Sequence, residues 1–303
     1  MKTKLEMEKN LWFNISPESK ENLKNAILNL LQETEDETIA TQIADLASQM
    51  AETMFIIDKT GLWTELLVLA NTLVTSDNSS TLKVKVGLHI YNYMFEHLSN
   101  ELAQYNDQFV DLFKQCLAHP DLEVASAALG AVASFLSIAQ TKFTISYQPC
   151  LEGMVNVPLR ALEADDEKVI EDAMVDFNNI AEAEPKFFIP SFKELFFAFT
   201  KLIEKNDYDN TGVRHQPLEF LVSITDRETR LVSEDVDMLK ALLDLSTKLM
   251  IDIDTEIDEE WLDPPQGFKL KEADEEDSVS FAIECVNRIF HSGGEKIVLQ
   301  PIC

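Results

Sequence analysis

The stretch DDEKVIEDAMVDF, residues 165–177, decides the fold because five other stretches of the chain repeat its pattern. Each has an aliphatic residue near the start, Val169 here, followed by apolar residues at helical spacing. In chain order these aliphatic residues lie 45, 40, 45, 44 and 66 residues apart, at Ile39, Val84, Val124, Val169, Val213 and Val279. A period of this size is typical of stacked helix pairs. We therefore predict an all-α fold, an α-α superhelix of about six to seven helical hairpins in one continuous solenoid over residues 1–303.

The apolar periodicity divides the chain into hairpins, each with a first and a second helix. Ser16 is the predicted N-cap of the first helix, with Pro17 at its first position. An aspartate lies three residues before the aligned aliphatic residue in three hairpins and should cap the second helix: Asp36, Asp121 and Asp166. Pro217 lies inside the second helix of the fifth hairpin, where we expect a kink. The predicted repeats are approximately 16–57, 62–98, 105–139, 146–183, 188–226 and 234–292.

The chain is strongly acidic, with 54 acidic against 25 basic residues and a net charge of −29. This balance disfavours direct binding to nucleic acid, because phosphate recognition requires Lys and Arg. It favours basic partners, although the acidity could also serve only to keep the protein soluble. No apolar run approaches the roughly 18 residues that a membrane span needs, so we expect no membrane insertion.

The sequence carries no signature of catalysis or of metal binding. It lacks a P-loop, GxGxxG, GxSxG and HExxH, and its five histidines do not cluster at ligand spacing. The four cysteines are scattered without CxxC spacing, and Cys116 and Cys285 fall in apolar helical runs that indicate core packing. We therefore expect no enzyme activity, no metal and no cofactor.

The sixth hairpin is interrupted by an acidic insertion at about 252–277. The run IDIDTEIDEEWLDPPQGFKLKEADEED, residues 251–277, holds twelve acids against Lys269 and Lys271. Its composition, with Pro264, Pro265 and Gly267, predicts a long solvated loop between the two helices of the hairpin.

Several segments resemble the importin-beta family of nuclear transport receptors, and most closely the subgroup of importin five, also called karyopherin beta three. EDAMVDFNNIAEAEPKFFIPSF (171–192) resembles a junction between two of their hairpins. Four more segments resemble theirs in the same order: LWFNISPESKENLKNAILNLLQET (11–34), GVRHQPLEFLVSI (212–224), MIDIDTEIDEEWLD (250–263) and SGGEKIVLQPI (292–302). Pro217 departs from the helical residue that the family has there.

The resemblance implies a HEAT-repeat solenoid that corresponds to a stretch near the N-terminal third of much longer proteins. It also implies partners: Ran-GTP, basic nuclear localisation signals of cargo proteins and FG-repeat nucleoporins. The implied location is the cytoplasm and nucleus, with shuttling through the nuclear pore. Second helices would line the concave face, where Ran and cargo bind, and first helices the convex face, where nucleoporins dock.

Three candidate sites follow from this resemblance. The acidic loop would bind Ran or cargo through Asp252, Asp254, Glu256, Asp258, Glu259, Glu260, Trp261 and Asp263. The second helix of the fourth hairpin would present an acidic stripe to basic cargo through Glu171, Asp172, Asp176 and Asn179. Phe197 lies opposite the apolar face of the fifth first helix and would receive an FG-repeat phenylalanine.

Each site has a simpler alternative. The loop could be only a solubilising spacer, the stripe an ordinary solvated helix face, and Phe197 a residue packed against an adjoining repeat. At the level of function, the alternatives are a HEAT-repeat assembly scaffold, such as a phosphatase scaffold subunit, and an adaptor that regulates one client enzyme. A plain scaffold has no need of the acidic insertion, which favours the transport receptor.

Overall fold

A computed structural model describes residues 11–59, 61–76, 79–205, 211–233, 235–251 and 278–293. In those ranges every regular element is helical, so the prediction of an all-α fold is confirmed. The helices fall into two compact units, Met1–Ala139 and Gln140–Cys303.

The first unit holds three helical hairpins. Their helices are α1 (Pro17–Glu33) with α2 (Glu37–Thr53), α3 (Thr64–Thr75) with α4 (Thr81–Leu102), and α5 (Asn106–Leu117) with α6 (Leu122–Ile138). Within each hairpin the first helix packs against the second, and the second helices α2, α4 and α6 pack side by side. The first and second helices thus form two layers.

The second unit repeats this arrangement. Its helices are α7 (Leu151–Ala164) with α8 (Glu167–Ala183), α9 (Phe192–Glu204) with α10 (Gly212–Arg227), and α11 (Val236–Ile251) with α12 (Ser278–Gly293). The second helices α8, α10 and α12 again pack side by side, and α9 contacts both α7 and α11.

The predicted caps lie where the sequence placed them. Ser16 accepts a hydrogen bond from the Ser19 amide at 3.1 Å. Asp36 accepts from the Ile39 amide at 2.9 Å, and Asp166 from the Val169 amide at 3.1 Å. Asp121 caps α6 in the same way. Each carboxylate satisfies an amide that the first helical turn leaves without a partner.

Helix ends differ from the expected bounds where proline or an irregular turn intervenes. The first helix of the fifth hairpin, α9, begins at Phe192 instead of residue 188. Two 3₁₀ turns precede it, Pro185–Phe187 and Ile189–Ser191, and each begins at or beside a proline. The helix α2 ends at Thr53 and passes into a π-helical turn, Met54–Asp58. By contrast, α10 continues through Pro217, although a proline cannot donate the usual helical hydrogen bond.

Aromatic rings fill the core of each unit. In the second unit the fully buried rings of Phe177, Phe188, Phe199 and Phe220 pack edge to face at 4.9–5.6 Å, except for the tilted Phe177–Phe188 pair at 5.7 Å. In the first unit the cluster contains Tyr91, Phe95, Phe109, Phe113 and Phe135. Such pairs add about 0.5–1.5 kcal/mol beyond the area they bury.

Small residues allow close helix contact in the first unit. A Cβ placed on Gly87 of α4 would lie 2.6 Å from Cγ2 of Val74 and 2.9 Å from the carbonyl oxygen of Ala70. Any larger residue there would force α3 away from α4. Glycine is therefore required at this position by space rather than by backbone conformation.

Candidate binding surfaces

The predicted acidic stripe lies along one side of α8. Asp172 and Asn179 are exposed, Asp176 lies between them and is half-buried, and Glu171 borders Asp172. The structure therefore places all four side chains on a single helix, within just over two turns of one another.

Asp176 is an exception to the repeat. It lies seven residues after the aligned aliphatic residue, and the other five repeats have an apolar residue there: Leu46, Tyr91, Ala131, Phe220 and Val286. Burial of the Asp176 carboxyl, together with the nearby charge of Asp172, raises its pKa to about 7. No hydrogen bond or ion pair to this carboxyl is found in the described part of the chain. An acid without a neutralising partner thus occupies a register that is apolar in the other repeats and buried at Tyr91, Ala131 and Phe220.

Polar side chains join the second helices of the second unit. The Asn178 side-chain amide donates to the carbonyl and to Oε1 of Gln216, at 3.1 and 2.7 Å. Arg227 donates to the backbone carbonyl of Glu182. On the next pair, Arg288 donates through Nη1 to both carboxylate oxygens of Glu219, at 2.9 and 2.8 Å. These bonds fix the second helices in register and hold α8 in place.

Phe197 is exposed on α9. Its side chain is 60% accessible, whereas Phe192, Phe196 and Phe199 on the same helix are buried. The alternative that Phe197 packs against an adjoining repeat is therefore wrong for the described residues. Lys193, on the exposed side of α9, forms an ion pair with Asp235 at 3.2 Å. An uncovered aromatic ring of this size is an available apolar contact.

A groove between the first helices α3 and α5 was not predicted from the sequence. It has a volume of about 300 Å³, and α3 lines it with Val68 and Asn71, α5 with Gln108 and Phe109, and α4 with Tyr91. All ten lining residues are uncharged, in a chain of net charge −29. Val68 at its rim is 66% exposed. Only an apolar residue on the polar face of α3 could have signalled this groove.

The acidic loop residues, from Asp252 to Asp263, lie outside the described residues. The helices on either side, α11 and α12, pack against each other. At the start of α12, the Ser278 hydroxyl lies 2.9 Å from Nε2 of His215 on α10. The two helices that flank the insertion in the sequence are therefore packed together.

The predicted packing role of two cysteines is confirmed. Cys116 and Cys285 are buried, and burial raises their pKa to about 11 and about 12. Thiols with such pKa values are poor nucleophiles at neutral pH. Within the described ranges, no cluster of His, Cys, Asp and Glu is arranged to hold a metal ion. No helix among these residues combines the length and apolarity needed to cross a membrane.

Helical hairpins stacked in paired layers define an α-helical repeat protein of the solenoid class. Residues 35–199, more than half of the chain, match the family model described as IPO5-like, TPR repeats. The chain belongs to this importin-5-like family of nuclear transport receptors.

Individual relatives agree with this assignment. Over 205 residues the chain is 22% identical to a protein of Dictyostelium discoideum named probable importin-5 homolog, covering 67% of this chain and 19% of the relative. The crystal structure of Kap121p superposes with a TM-score of 0.79 at 15% identity, covering 98% of this chain and 28% of Kap121p. Kap121p bound to RanGTP gives a TM-score of 0.78 at 16% identity, covering 95% of this chain and 26% of that one. The predicted HEAT-type solenoid is confirmed, and the chain spans 19–28% of the length of these relatives.

Proposed function

We propose that this chain is a segment of a nuclear import receptor that binds Ran-GTP, basic localisation signals of cargo and FG-repeat nucleoporins. On this proposal it shuttles between cytoplasm and nucleus with the receptor. Family membership gives the class of function, and the carboxyl of Asp176 in an apolar register is the observation that carries the cargo site. Solved relatives include Kap121p bound to RanGTP, to Nup53p and to Pho4p.

The cargo site on α8 would attract lysine or arginine side chains. Asp172 is exposed and would meet an incoming cation first, while Asp176 is held partly protonated by burial and by Asp172. A cation that pairs with both carboxyls would lower the pKa of Asp176 and release a proton.

A titration with a basic localisation peptide tests the cargo site. We expect Asp172→Lys to weaken binding by about fivefold or more, because it places a cation where the peptide needs a carboxylate. The matched control is Glu163→Lys, which makes the same charge change at an exposed acid of α7. Equal losses in the two variants would mean that only net charge matters, and the site on α8 would be rejected.

The nucleoporin sites would lie on the first helices, at Phe197 on α9 and in the groove between α3 and α5. Phe197 is an exposed aromatic side chain and all ten residues that line the groove are uncharged, which fits a neutral segment containing Phe-Gly better than it fits basic cargo. We expect Phe197→Ala and Val68→Glu each to weaken the binding of an FG-repeat peptide without changing the thermal midpoint. Val175→Ala, at an exposed aliphatic residue of α8, is the control for Phe197→Ala.

The acidic loop would contact basic residues of Ran or cargo. Each exposed ion pair contributes only about 0–1 kcal/mol, so a dense acidic segment acts mainly on encounter rate. Binding to Ran loaded with a non-hydrolysable GTP analogue, compared with Ran-GDP, tests this part. Reversal of Asp252, Asp254, Asp258 and Glu259 to lysine should slow association at low salt, and an unchanged rate would make the loop a spacer.

A further inference from the structure

The contact between α2 and α4 in the first unit carries a row of polar side chains whose charges are balanced at one end only. At the start of α4, Lys85 lies between two carboxylates, 2.5 Å from Glu37 and 2.6 Å from Glu123. That end of the row is neutralised by the half-buried Lys85, whose ammonium group is shared between acids of two neighbouring helices. Two turns further along α4, acids predominate.

The second part of the row is a cluster around Tyr93, formed by Asp45 and Glu52 of α2 with Tyr93 and Glu96 of α4. Burial of the half-buried Tyr93, together with the nearby charges of Glu52, Glu96 and Asp45, raises the pKa of its hydroxyl. Three carboxylates therefore lie close enough to one tyrosine to act on its hydroxyl. We call this set the Tyr93 cluster.

Two histidines border the Tyr93 cluster. The His89 Nε2 lies 2.6 Å from Oδ1 of Asp45. The ring of His97 lies 4.6 Å from the ring of Tyr93, and its Nε2 is 4.0 Å from Glu96. In the described part of the chain, no Lys or Arg lies within ion-pair distance of the three carboxylates. The cluster thus lacks the permanent cation that Lys85 supplies elsewhere in the row.

A buried hydroxyl in the same stripe also lacks a partner. Ser48 lies on α2 between Asp45 and Glu52, three residues after the first and four before the second. It is 1% exposed, and its Oγ makes no hydrogen bond. A buried polar group without a partner costs about 1–3 kcal/mol and therefore requires an explanation. A ligand with several N–H donors, bound between the two acids, would supply one.

The chemistry of the cluster selects among cationic ligands. A metal ion is disfavoured, because these acids and histidines are not grouped closely enough to share one. A guanidinium group is planar, carries five N–H donors and stacks on aromatic rings, whereas an ammonium group is a compact charge. We propose that the Tyr93 cluster binds the guanidinium group of an arginine side chain presented by a basic segment of a partner protein. The inference rests on the proposed function only in taking a basic protein segment as the partner.

Preference for arginine over lysine is the measurement that tests this inference. Fluorescently labelled peptides with four Arg-Gly-Ser units or four Lys-Gly-Ser units are titrated into the full chain, and fluorescence anisotropy gives both affinities. We expect the wild-type chain to bind the arginine peptide about threefold or more tightly, because only guanidinium stacks well on Tyr93. Tyr93→Leu should abolish this preference, and Tyr93→Phe, which retains the ring, should keep most of it.

A charge-matched pair of variants separates the cluster from the overall acidity. Glu52→Gln with Glu96→Gln should weaken arginine-peptide binding about tenfold. Glu163→Gln with Glu194→Gln, at exposed acids of the second unit, should weaken it less than twofold. Equal losses in both pairs, or an arginine preference that survives in Tyr93→Leu, would overturn the inference. Circular dichroism melts of each variant confirm folding. A localisation peptide that still responds to Asp172→Lys would leave the proposed function standing when this inference fails.

Discussion

The first and third hairpins contain the same sequence pattern with opposite results. Ile39 and Val124 each lie three residues after a capping aspartate, yet Ile39 is 51% exposed and Val124 is 0% exposed. Two helical turns further along each helix, Leu46 is 49% exposed and Ala131 is buried. The helices α2 and α6 both pack against α4, but Ile39 and Leu46 lie on a side of α2 that stays exposed in the described part of the chain. Burial in such an array is therefore set by the neighbouring hairpin and not by the helix alone.

The largest effect expected from this contrast comes from a charge at the aligned position. Val124→Asp should lower the free energy of unfolding by about 4 kcal/mol or more, because it buries a carboxylate without a partner. Ile39→Asp, at the equivalent exposed position, should change it by less than about 0.5 kcal/mol. Urea denaturation followed by circular dichroism measures both. Similar losses would show that Ile39 is covered in solution.

A second effect concerns Asp176, which occupies the register of Leu46 and Ala131 in the fourth hairpin. Its pKa is raised from 3.8 to about 7, so the folded state favours the protonated carboxyl. This contribution to stability is fully present below pH of about 4 and is lost as the pH rises to about 7. Asp176→Asn should therefore stabilise the chain by up to about 4 kcal/mol at pH 8 and hardly at all at pH 4.

Unfolding of Asp176→Asn and wild type across this pH range gives the comparison directly. A difference between the two proteins that stays constant with pH would contradict the raised pKa. Asp172→Asn is a useful companion, since removal of the neighbouring charge should lower the pKa of Asp176 only in part, burial being the larger cause.

The smallest effect is the loss of an N-cap, and it should be equal in the first and third hairpins. Asp36→Ala and Asp121→Ala each remove one cap, and each should cost about 1 kcal/mol. A cap acts on its own helix, so exposure of the rest of the helix has little influence. Thermal melts of the two variants check this, and a much larger loss at Asp121 would mean that stacking also depends on it.

The local features of the fold were predictable, because the sequence states them directly. The period of the aliphatic residues, the caps at Asp36 and Asp166 and the buried phenylalanine face of α9 all depend on neighbouring residues in one helix. The late start of α9 was not foreseen, because the turns around Pro185 and Pro190 compete with a helical pattern that continues through them.

The candidate sites divide in the same way. The exposure of Phe197 could be read from its angle on one helical wheel. The Tyr93 cluster could not, because Asp45 and Glu52 resemble any solvated acids until α4 brings a tyrosine beside them. The groove also depends on the distance between α3 and α5, which no residue pattern encodes. Sites made by one helix are visible in the sequence, and sites made by two are not.

The contact at Gly87 of α4 sets the position of α3, which lines the groove. Ala70 and Val74, which approach Gly87, belong to the same helix α3 as Val68 and Asn71, which line the groove. A methyl group at position 87 would clash with α3 and push it away from α4. The mouth of the groove would then change shape, although no residue that lines it had been altered. The shape of this opening is thus adjustable from a position that does not line it.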